Sequence, residues 1–262
     1  MFVAWRAARP GPGAAARVHD LREIVNAILY VNRTGIPWEY LPHDFPPFKT
    51  GYDYFAKWEA DGTTEQVHDL LWDRTRRANA RTAEPSAAVV EAQSAKTSGN
   101  VAETSQGIDA GKKIKGRKRH LVTDTLGLVL AVLVTAASVH DSAGGKQALT
   151  EPAEAHPSVT KVWADGGYQT SVIQHGAGLG IDVEVVRRPK EKGFQPLPKR
   201  WVIERTFDWL MQHRRLARDY EALPQRSRTM IHWAMANKMS RELTGESAPT
   251  WRTETDMPPT PA

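Results

Sequence analysis

The sequence predicts an α/β fold in which helices flank a mixed five-stranded sheet, with a small all-α domain in front of it. Two observations support this prediction. Apolar residues recur with a helical period up to about residue 77 and in short strand-like runs beyond residue 86, and these two periods distinguish helices from strands. The later elements follow the order β-β-β-α-β-α-β-α-α, in which strands joined by short turns give way to strands alternating with helices.

Three short helices are predicted in the N-terminal part. The apolar stripe from Leu21 to Leu29 follows a capping-box pattern that begins at Asp20, and it ends before Gly35. A second helix over 51–62 and a third over 63–77 follow with a tight connection between them. This arrangement fits a helix-turn-helix-like DNA-binding module, or else a plain three-helix lobe that packs on the main domain.

Composition divides the chain into four segments. Residues 1–17, rich in Ala, Gly, Pro and Arg, predict a flexible leader, and residues 244–262 predict a disordered tail. Between them we expect a helical, DNA-binding-like domain over 18–80 and the sheet domain over 86–243, separated by a linker-like stretch.

The overall composition narrows the classes of function. The 262 residues include no Cys, which excludes disulfides and Cys-based metal centres and favours a cytoplasmic location. The longest apolar run, residues 126–137, is shorter than the roughly 20 residues that a membrane helix needs, so we expect no membrane association. The formal net charge of +5 favours a polyanionic partner.

Three carboxylates fall at informative positions of the predicted sheet, whose element order is that of the ribonuclease-H-like fold. Glu91 lies in the first strand, Asp165 ends the fourth strand before a Gly-Gly pair, and Glu204 lies in the helix after the fifth. Sites in such sheets form beyond the carboxyl ends of the strands, so the three can converge. Oxygen ligands without Cys favour Mg²⁺ or Mn²⁺, and two such ions about 4 Å apart serve phosphodiester cleavage.

Residues 199–218 predict one amphipathic helix around Glu204. Its apolar stripe includes Ile203 and Phe207, so the carboxylate requires a cationic partner. From this helix alone, an ion pair with Arg200 and a metal ion are equally good partners. Similarly, the pair His140-Asp141 at a strand end allows a metal site, although a structural role is the commoner outcome.

Basic residues cluster around these acids and predict contacts with phosphate backbones. Six of the nine residues from Lys112 to His120 are Lys or Arg. A charged, solvated hairpin edge is the alternative interpretation of this run. The DNA-contacting candidates are Lys112, Lys113, Lys115, Arg117, Lys118, Arg119, Arg200, His213, Arg214 and Arg215.

Several stretches together resemble the DDE transposases of bacterial insertion sequences, in the insertion-sequence-five-like group of the insertion-sequence-four superfamily. The resemblance covers roughly residues 17–243. It rests on the stretches QSAKTSGN, DAGKKIKGRKRHLVTDTLGLVLAVLVTAASVHD, VWADGGY and PKRWVIERTFDWLMQHRRLARDYEALP, and on the N-terminal VHDLREIVNAILYVNRTGIPWEYLPHDFPPFKT.

The resemblance implies a function. Glu91, Asp165 and Glu204 would be the catalytic and metal-binding acids, holding Mg²⁺ or Mn²⁺, and Arg200 matches the Arg of the family's Tyr-Arg-Glu-Lys signature. The activity would be strand cleavage at the element ends and strand transfer into target DNA. The implied partners are terminal inverted repeats and target DNA, with a homodimer assembled on DNA near the nucleoid.

The chain departs from the family pattern at three positions. Leu197 and Met211 stand where the signature has Tyr and Lys. Glu91 stands where the family has its first Asp, and the extra methylene of Glu moves the carboxylate by about 1.5 Å. A misplacement of about 1 Å in an active site can lower the reaction rate roughly 100-fold. We therefore predict impaired activity. A catalytically decayed DNA-binding protein and a ribonuclease-H-like nuclease that only hydrolyses are the alternatives.

Overall fold

The computed structural model describes residues 1–8, 19–168, 170–186 and 199–246. The helices in these ranges are α1 (Phe2–Ala7), α2 (Leu21–Thr34), α3 (Phe48–Ala60), α4 (Thr63–Ala78), α5 (Asp141–Ala155), α6 (Thr170–Gly178), α7 (Trp201–Met211) and α8 (Pro224–Leu243). The strands are β1 (Ala87–Lys96), β2 (Gly107–Asp109), β3 (Ile114–Asp124), β4 (Val129–Ala136), β5 (Lys161–Asp165) and β6 (Asp182–Val186).

The strands form one mixed sheet in the order β2-β3-β1-β5-β6, with β4 also paired to β3. The β1–β3 pair is antiparallel, whereas β1–β5 and β5–β6 are parallel. This topology confirms the predicted α/β class and mixed sheet flanked by helices. The described strands number six instead of five, because the short strand β2, which was not predicted, pairs with the start of β3.

Each face of the sheet is covered by its own apolar core, because alternate residues of a strand point to opposite faces. Val89 and Leu121 belong to the core under the N-terminal helices, α7 and α8. Val90 and Val122 belong to the core under α5 and α6. Since Glu91 follows Val90, its side chain starts on the α7 side of the sheet.

The N-terminal helices pack on the same core as the sheet. The ring of Trp58 in α3 lies 5.8 Å from that of Trp233 in α8, and α3 and α4 are joined by only two residues, as the predicted module requires. The domain boundaries themselves stay predictions.

Within the predicted flexible leader, residues 2–7 instead form α1, because Phe2 and Trp5 stack on Trp58 with ring centroids 4.7 and 5.8 Å away.

The helix predicted over 199–218 is shorter than expected. It ends at Met211 because the backbone of His213 is extended, and a separate 3₁₀ turn covers Arg214–Leu216. The rest of the predicted leader and almost all of the predicted tail lie outside the described residues. In the part of the chain that is described, no helix is both long and apolar enough to cross a membrane.

Candidate active site

Glu91, Asp165 and Glu204 meet where the parallel β1–β5 ladder ends, in the middle of β1 and at the carboxyl end of β5. The β1–β5 ladder ends where Val90 pairs with Ala164, which places Glu91 and Asp165 side by side just beyond it. Glu204 approaches from the first turn of α7. This is the edge at which open α/β sheets form their sites.

A glycine turn fixes the orientation of Asp165. The strand stops at this residue, and the backbone N–H of Gly167 donates a hydrogen bond back to its Oδ1. The backbone N–H of Tyr168 also donates to the carbonyl of Asp165, at 3.0 Å. The carboxylate is therefore held at the strand end, with 36% of its side chain exposed.

The guanidinium of Arg200 lies among the three carboxylates. Its Nη2 lies 3.2 Å from Glu91 Oε1 and 3.1 Å from Asp165 Oδ2, and 3.8 Å from Glu204 Oε1. The side chain of Arg200 is only 4% exposed. The helix pair between Arg200 and Glu204 is thus present, but it forms one part of a larger cluster that links three distant segments of the chain.

Glu91 is the most buried of the three acids. Burial raises its pKa above the usual value for Glu, the positive charge of Arg200 opposes this rise, and the negative charges of Asp165 and Glu204 add to it. Its Oε2 atom is buried and accepts no hydrogen bond from the described residues. A buried, unpaired carboxylate oxygen is costly unless a cation meets it.

The donor set suits a hard divalent cation, but the carboxylates are arranged around Arg200. Within the described ranges, no group of three or more His, Asp or Glu side chains has an arrangement that could hold a metal ion. Mg²⁺ is usually bound through one or two carboxylates together with waters and substrate phosphates. The three carboxylates, and the unpaired oxygen of Glu91 in particular, fit such an ion in chemical type.

A second polar cluster lies on the opposite face of the sheet, under α5. Lys118 Nζ lies 2.8 Å from Asp141 Oδ1 and 3.3 Å from Asp109 Oδ2, and the Ser94 hydroxyl donates to Asp109 Oδ2 at 2.6 Å. Although burial opposes the shift, the hydrogen bonds from Ser94 and Lys112 keep the pKa of Asp109 well below its usual range. Lys118 is therefore shared between two carboxylates inside the protein.

Three of the predicted DNA-contacting residues are buried in β3, so the prediction of phosphate contact is corrected for them. Arg117, Lys118 and Arg119 are each at most 4% exposed. Arg117 lies 3.4 Å from Asp219, Lys118 belongs to the cluster under α5, and Arg119 donates to the carbonyl of Leu216 at 2.7 Å. The reason is topological: β3 is an inner strand, and both of its faces are covered.

Three further candidates also have internal partners, so their prediction is corrected too. Arg200 lies in the carboxylate cluster. His213 Nδ1 lies 3.3 Å from the carbonyl oxygen of Trp209, and burial lowers the pKa of His213 to about 4. Arg215 pairs with Glu221 at 2.7 Å.

Four predicted DNA-contacting residues remain on the surface. Lys112, Lys113 and Lys115 lie in and beside the exposed turn between β2 and β3, and Arg214 is exposed after α7. Lys115 pairs with Glu103 at 2.8 Å, but both side chains are more than half exposed. Lys112 Nζ donates to the carbonyl of Ala92 at 3.1 Å. A rotamer change would bring each of these exposed side chains to a phosphate.

The fold and the site together define a ribonuclease-H-like domain with three acids at the carboxyl edge of its sheet. A family model described as "Transposase DDE domain" matches residues 82–237, more than half of the chain. The chain therefore belongs to this transposase family, as its motifs predict. A second model, described as "Putative transposase of IS4/5 family", matches residues 2–68.

A curated relative is similar over part of its length. It is named "Putative transposase for insertion sequence element IS402", from Burkholderia cepacia, and is 33% identical over 120 residues. The match covers 40% of this chain and 54% of that protein. The chain thus spans about half the length of the curated relative that it matches.

The sequence does not identify two residues near the site as site residues. In the sequence, Asp141 is one member of a strand-end pair, and Tyr168 ends the VWADGGY stretch. The glycines around them were the available signal: Gly145 and Gly167 leave no free space for a Cβ beside the Tyr168 ring and Asp165, respectively.

Proposed function

We propose that this chain is an insertion-sequence transposase that cuts DNA strands at the ends of its element and joins them to target DNA. The observation that carries the proposal is the convergence of Glu91, Asp165 and Glu204 on Arg200. Membership of the transposase family supports the same reaction class. Mg²⁺, or Mn²⁺ in its place, is the proposed cofactor, in keeping with a family that generally uses divalent metal.

Each side chain has a distinct proposed task. Glu91, Asp165 and Glu204 would supply the oxygen ligands, and a bound divalent ion activates an attacking oxygen and stabilises a leaving one. Arg200 holds the three carboxylates within reach of one another against their mutual repulsion. The open side of the cluster is formed by Asp165 and Glu204, whose side chains are 36% and 46% exposed, so we expect DNA to approach from there.

The DNA surface that we propose differs from the one predicted from the sequence. Lys112, Lys113, Lys115 and Arg214 are exposed and would position phosphates. In the N-terminal module, Lys57 and Tyr52 of α3 also point outward, whereas Tyr54 is partly buried against Trp58, with ring centroids 5.4 Å apart. We propose that α2–α4 read the terminal inverted repeat, that a homodimer assembles on DNA, and that the protein works at the nucleoid.

The test is strand cleavage and strand transfer with a duplex that carries the inverted repeat flanking the reading frame. Wild-type protein and the Glu91→Asp variant are compared in Mg²⁺ with a second duplex as target. We expect metal-dependent cleavage, joined products, and a faster reaction of the variant, because the shorter side chain restores the family's first acid. Equal and full cleavage activity of the wild type and Glu91→Asp would contradict the proposal that Glu91 impairs the site.

A catalytically decayed DNA-binding protein is the second candidate, and one observation favours it. Arg200 already pairs with Glu91 and Asp165 inside the protein. A decayed protein would still shift the mobility of the same duplex, but neither the wild type nor Glu91→Asp would cleave it. The Glu204→Ala variant would shift the duplex as the wild type does. Cleavage without joined products would instead identify a nuclease.

A further inference from the structure

The side of Asp165 that faces away from Arg200 carries another carboxylate. A Cβ built on Gly167 would lie 3.0 Å from Asp165 Oδ1 and 3.6 Å from Asp141 Oδ2. The two carboxylates, one from the end of β5 and one from the start of α5, therefore both lie beside Gly167. An approach of this kind between like charges is unfavourable unless a cation reduces the repulsion.

Asp141 is held in place by its own element and by Lys118. It is the first residue of α5, and the helix is capped by His140, whose Nδ1 accepts a hydrogen bond from the backbone N–H of Ser142 at 3.2 Å. Lys118 Nζ lies 2.8 Å from Asp141 Oδ1, and the side chain of Asp141 remains 28% exposed. The capping role of His140 accounts for that residue, but it leaves the solvent-facing Oδ2 of Asp141 without an explanation.

Charge around Asp165 is not balanced by the described side chains. Among the described ion pairs, Arg200 is shared by Glu91, Asp165 and Glu204. Lys118 is shared by Asp141 and Asp109. These ion-paired side chains therefore carry more negative than positive charge.

The buried hydroxyl of Tyr168 is an independent sign that something else enters this cluster. Tyr168 is 4% exposed, and its hydroxyl has no hydrogen-bond partner in the described residues. The Cε1 and Cζ atoms of Tyr168 lie against the position that a Cβ on Gly145 would occupy, so the phenol packs on α5 one turn after Asp141. A water molecule ordered by a cation would give it a partner.

We propose that Asp141 is a fourth acidic residue of the site and that the space between Asp141 and Asp165, beside Gly167, holds a divalent cation. Two carboxylates are sufficient, because Mg²⁺ and similar ions complete their coordination with waters and phosphate oxygens. Asp165 then contributes one oxygen on each side, with Oδ2 toward Arg200 and Oδ1 toward Asp141. The inference rests on the proposed function for its use, although the binding of the cation does not depend on it.

Binding of Mn²⁺ alone, followed by electron paramagnetic resonance in the absence of DNA, tests the proposal. For Asp141→Asn we expect roughly tenfold weaker binding of at least one Mn²⁺. The matched control is Asp182→Asn, which removes an acid at the opposite end of the sheet, where Asp182 pairs with Lys161 at 2.6 Å. The control should bind Mn²⁺ as the wild type does.

A pair of glycine variants tests the same space without removing a charge. Gly167→Ala places a methyl group against Asp165 and Asp141, whereas a Cβ on Gly166 meets no atom within 4 Å. We expect Gly167→Ala to weaken Mn²⁺ binding severalfold and Gly166→Ala to leave it unchanged. This pair decides the matter if the melting temperature shows that Asp141→Asn has lost its fold.

The outcomes separate this inference from the proposed function. Wild-type affinity in Asp141→Asn and Gly167→Ala overturns the inference, even if the wild type cleaves DNA. Absence of Mn²⁺ binding by the wild type also overturns it. Loss of binding in both variants supports it, and it does so even if no protein cleaves DNA, in which case only the proposed function fails.

Discussion

The acidic cluster around Arg200 and the basic strand β3 are both dense in charge, but their charged side chains differ in exposure to solvent. Asp165 lies at the end of β5 and Glu204 in the first turn of α7, where their side chains stay 36% and 46% exposed, and one buried guanidinium contacts both. In β3, Arg117, Arg119 and His120 are fully buried. Arg117 and Arg119 donate to the distant carbonyls of Glu221 and Leu216, and His120 Nε2 lies 3.1 Å from Thr135 Oγ1 of the adjacent β4. In this protein the position of a charge relative to the strand end therefore matters more than the density of charge in the sequence.

The difference between these two regions follows from a physical rule. A charged side chain inside a covered strand must find an opposite charge or several carbonyl groups within the protein. A charged side chain beyond the strand end keeps contact with solvent and can bind a ligand. We therefore expect substitutions in β3 to change stability, and substitutions beyond the strand ends to change binding and reaction.

The largest expected change in stability follows replacement of Arg117. The Arg117→Met variant leaves Asp219 in a buried site without its cation and removes the donor to the carbonyl of Glu221, which it now reaches at 2.6 Å. Breaking a buried pair in this way costs about 3–5 kcal/mol. Urea denaturation measures the free energy of unfolding, with Lys115→Met as the control because Lys115 is exposed in the same strand. A loss no greater than that of the control would show that the pair is dispensable.

A smaller effect is expected from acid, through the neutral histidine in β3. Burial lowers the pKa of His120 to about 4, while the charge of Asp141 opposes this shift. Between pH 7 and pH 5 the unfolded chain takes up a proton at this position and the folded chain does not, so stability falls as the pH falls. The loss is about 2 kcal/mol for a shift of this size.

Chemical denaturation at pH 7 and pH 5 measures this loss. The His120→Gln variant should show a pH dependence smaller by about 2 kcal/mol, whereas His43→Gln, at an exposed position, should match the wild type. If His120→Gln keeps the full pH dependence, the imidazole is not held neutral by burial.

The smallest change in stability is expected at the exposed turn before β3. Lys112→Gln and Lys113→Gln should each alter the free energy of unfolding by no more than about 0.5 kcal/mol. If these side chains contact phosphates, each variant lowers the slope of log affinity against log salt by about 1. Binding to the element-end duplex is measured over a range of salt concentrations. Unchanged affinity and slope in both variants would place this turn outside the DNA interface.

Apart from α1 and β2, the sequence predicts the order of the described helices and strands and the elements that carry the three acids. Strand ends are marked by local signals, such as the Gly-Gly pair after Asp165, and the carboxyl edge of a parallel sheet follows from topology alone. The convergence of Glu91 and Glu204 with Asp165 therefore needed no knowledge of side-chain packing. The contact between Arg200 and Glu91, 109 residues apart in the chain, did need it.

The burial of the β3 charges was not predictable from the run itself. Arg117 and Arg119 point to one face of the sheet, and Lys118 and His120 point to the other. The residues that pair with these side chains or accept their hydrogen bonds belong to later segments of the chain. Asp219 follows α7, and Asp141 begins α5. This basic run is part of the core because β3 is an inner strand, which pairs with β1 on one side and with both β2 and β4 on the other.

The most direct test of the central claim is single-turnover cleavage of the element-end duplex in Mg²⁺ by proteins with and without Asp165. The Asp165→Asn variant is compared with its parent, both in the wild-type chain and together with Glu91→Asp, and Asp182→Asn serves as the surface control. We predict that the loss of Asp165 lowers the cleavage rate by roughly a thousandfold while the melting temperature and the affinity for DNA change little. Cleavage by Asp165→Asn at the rate of its parent would contradict the assignment of this edge of the sheet as the active site.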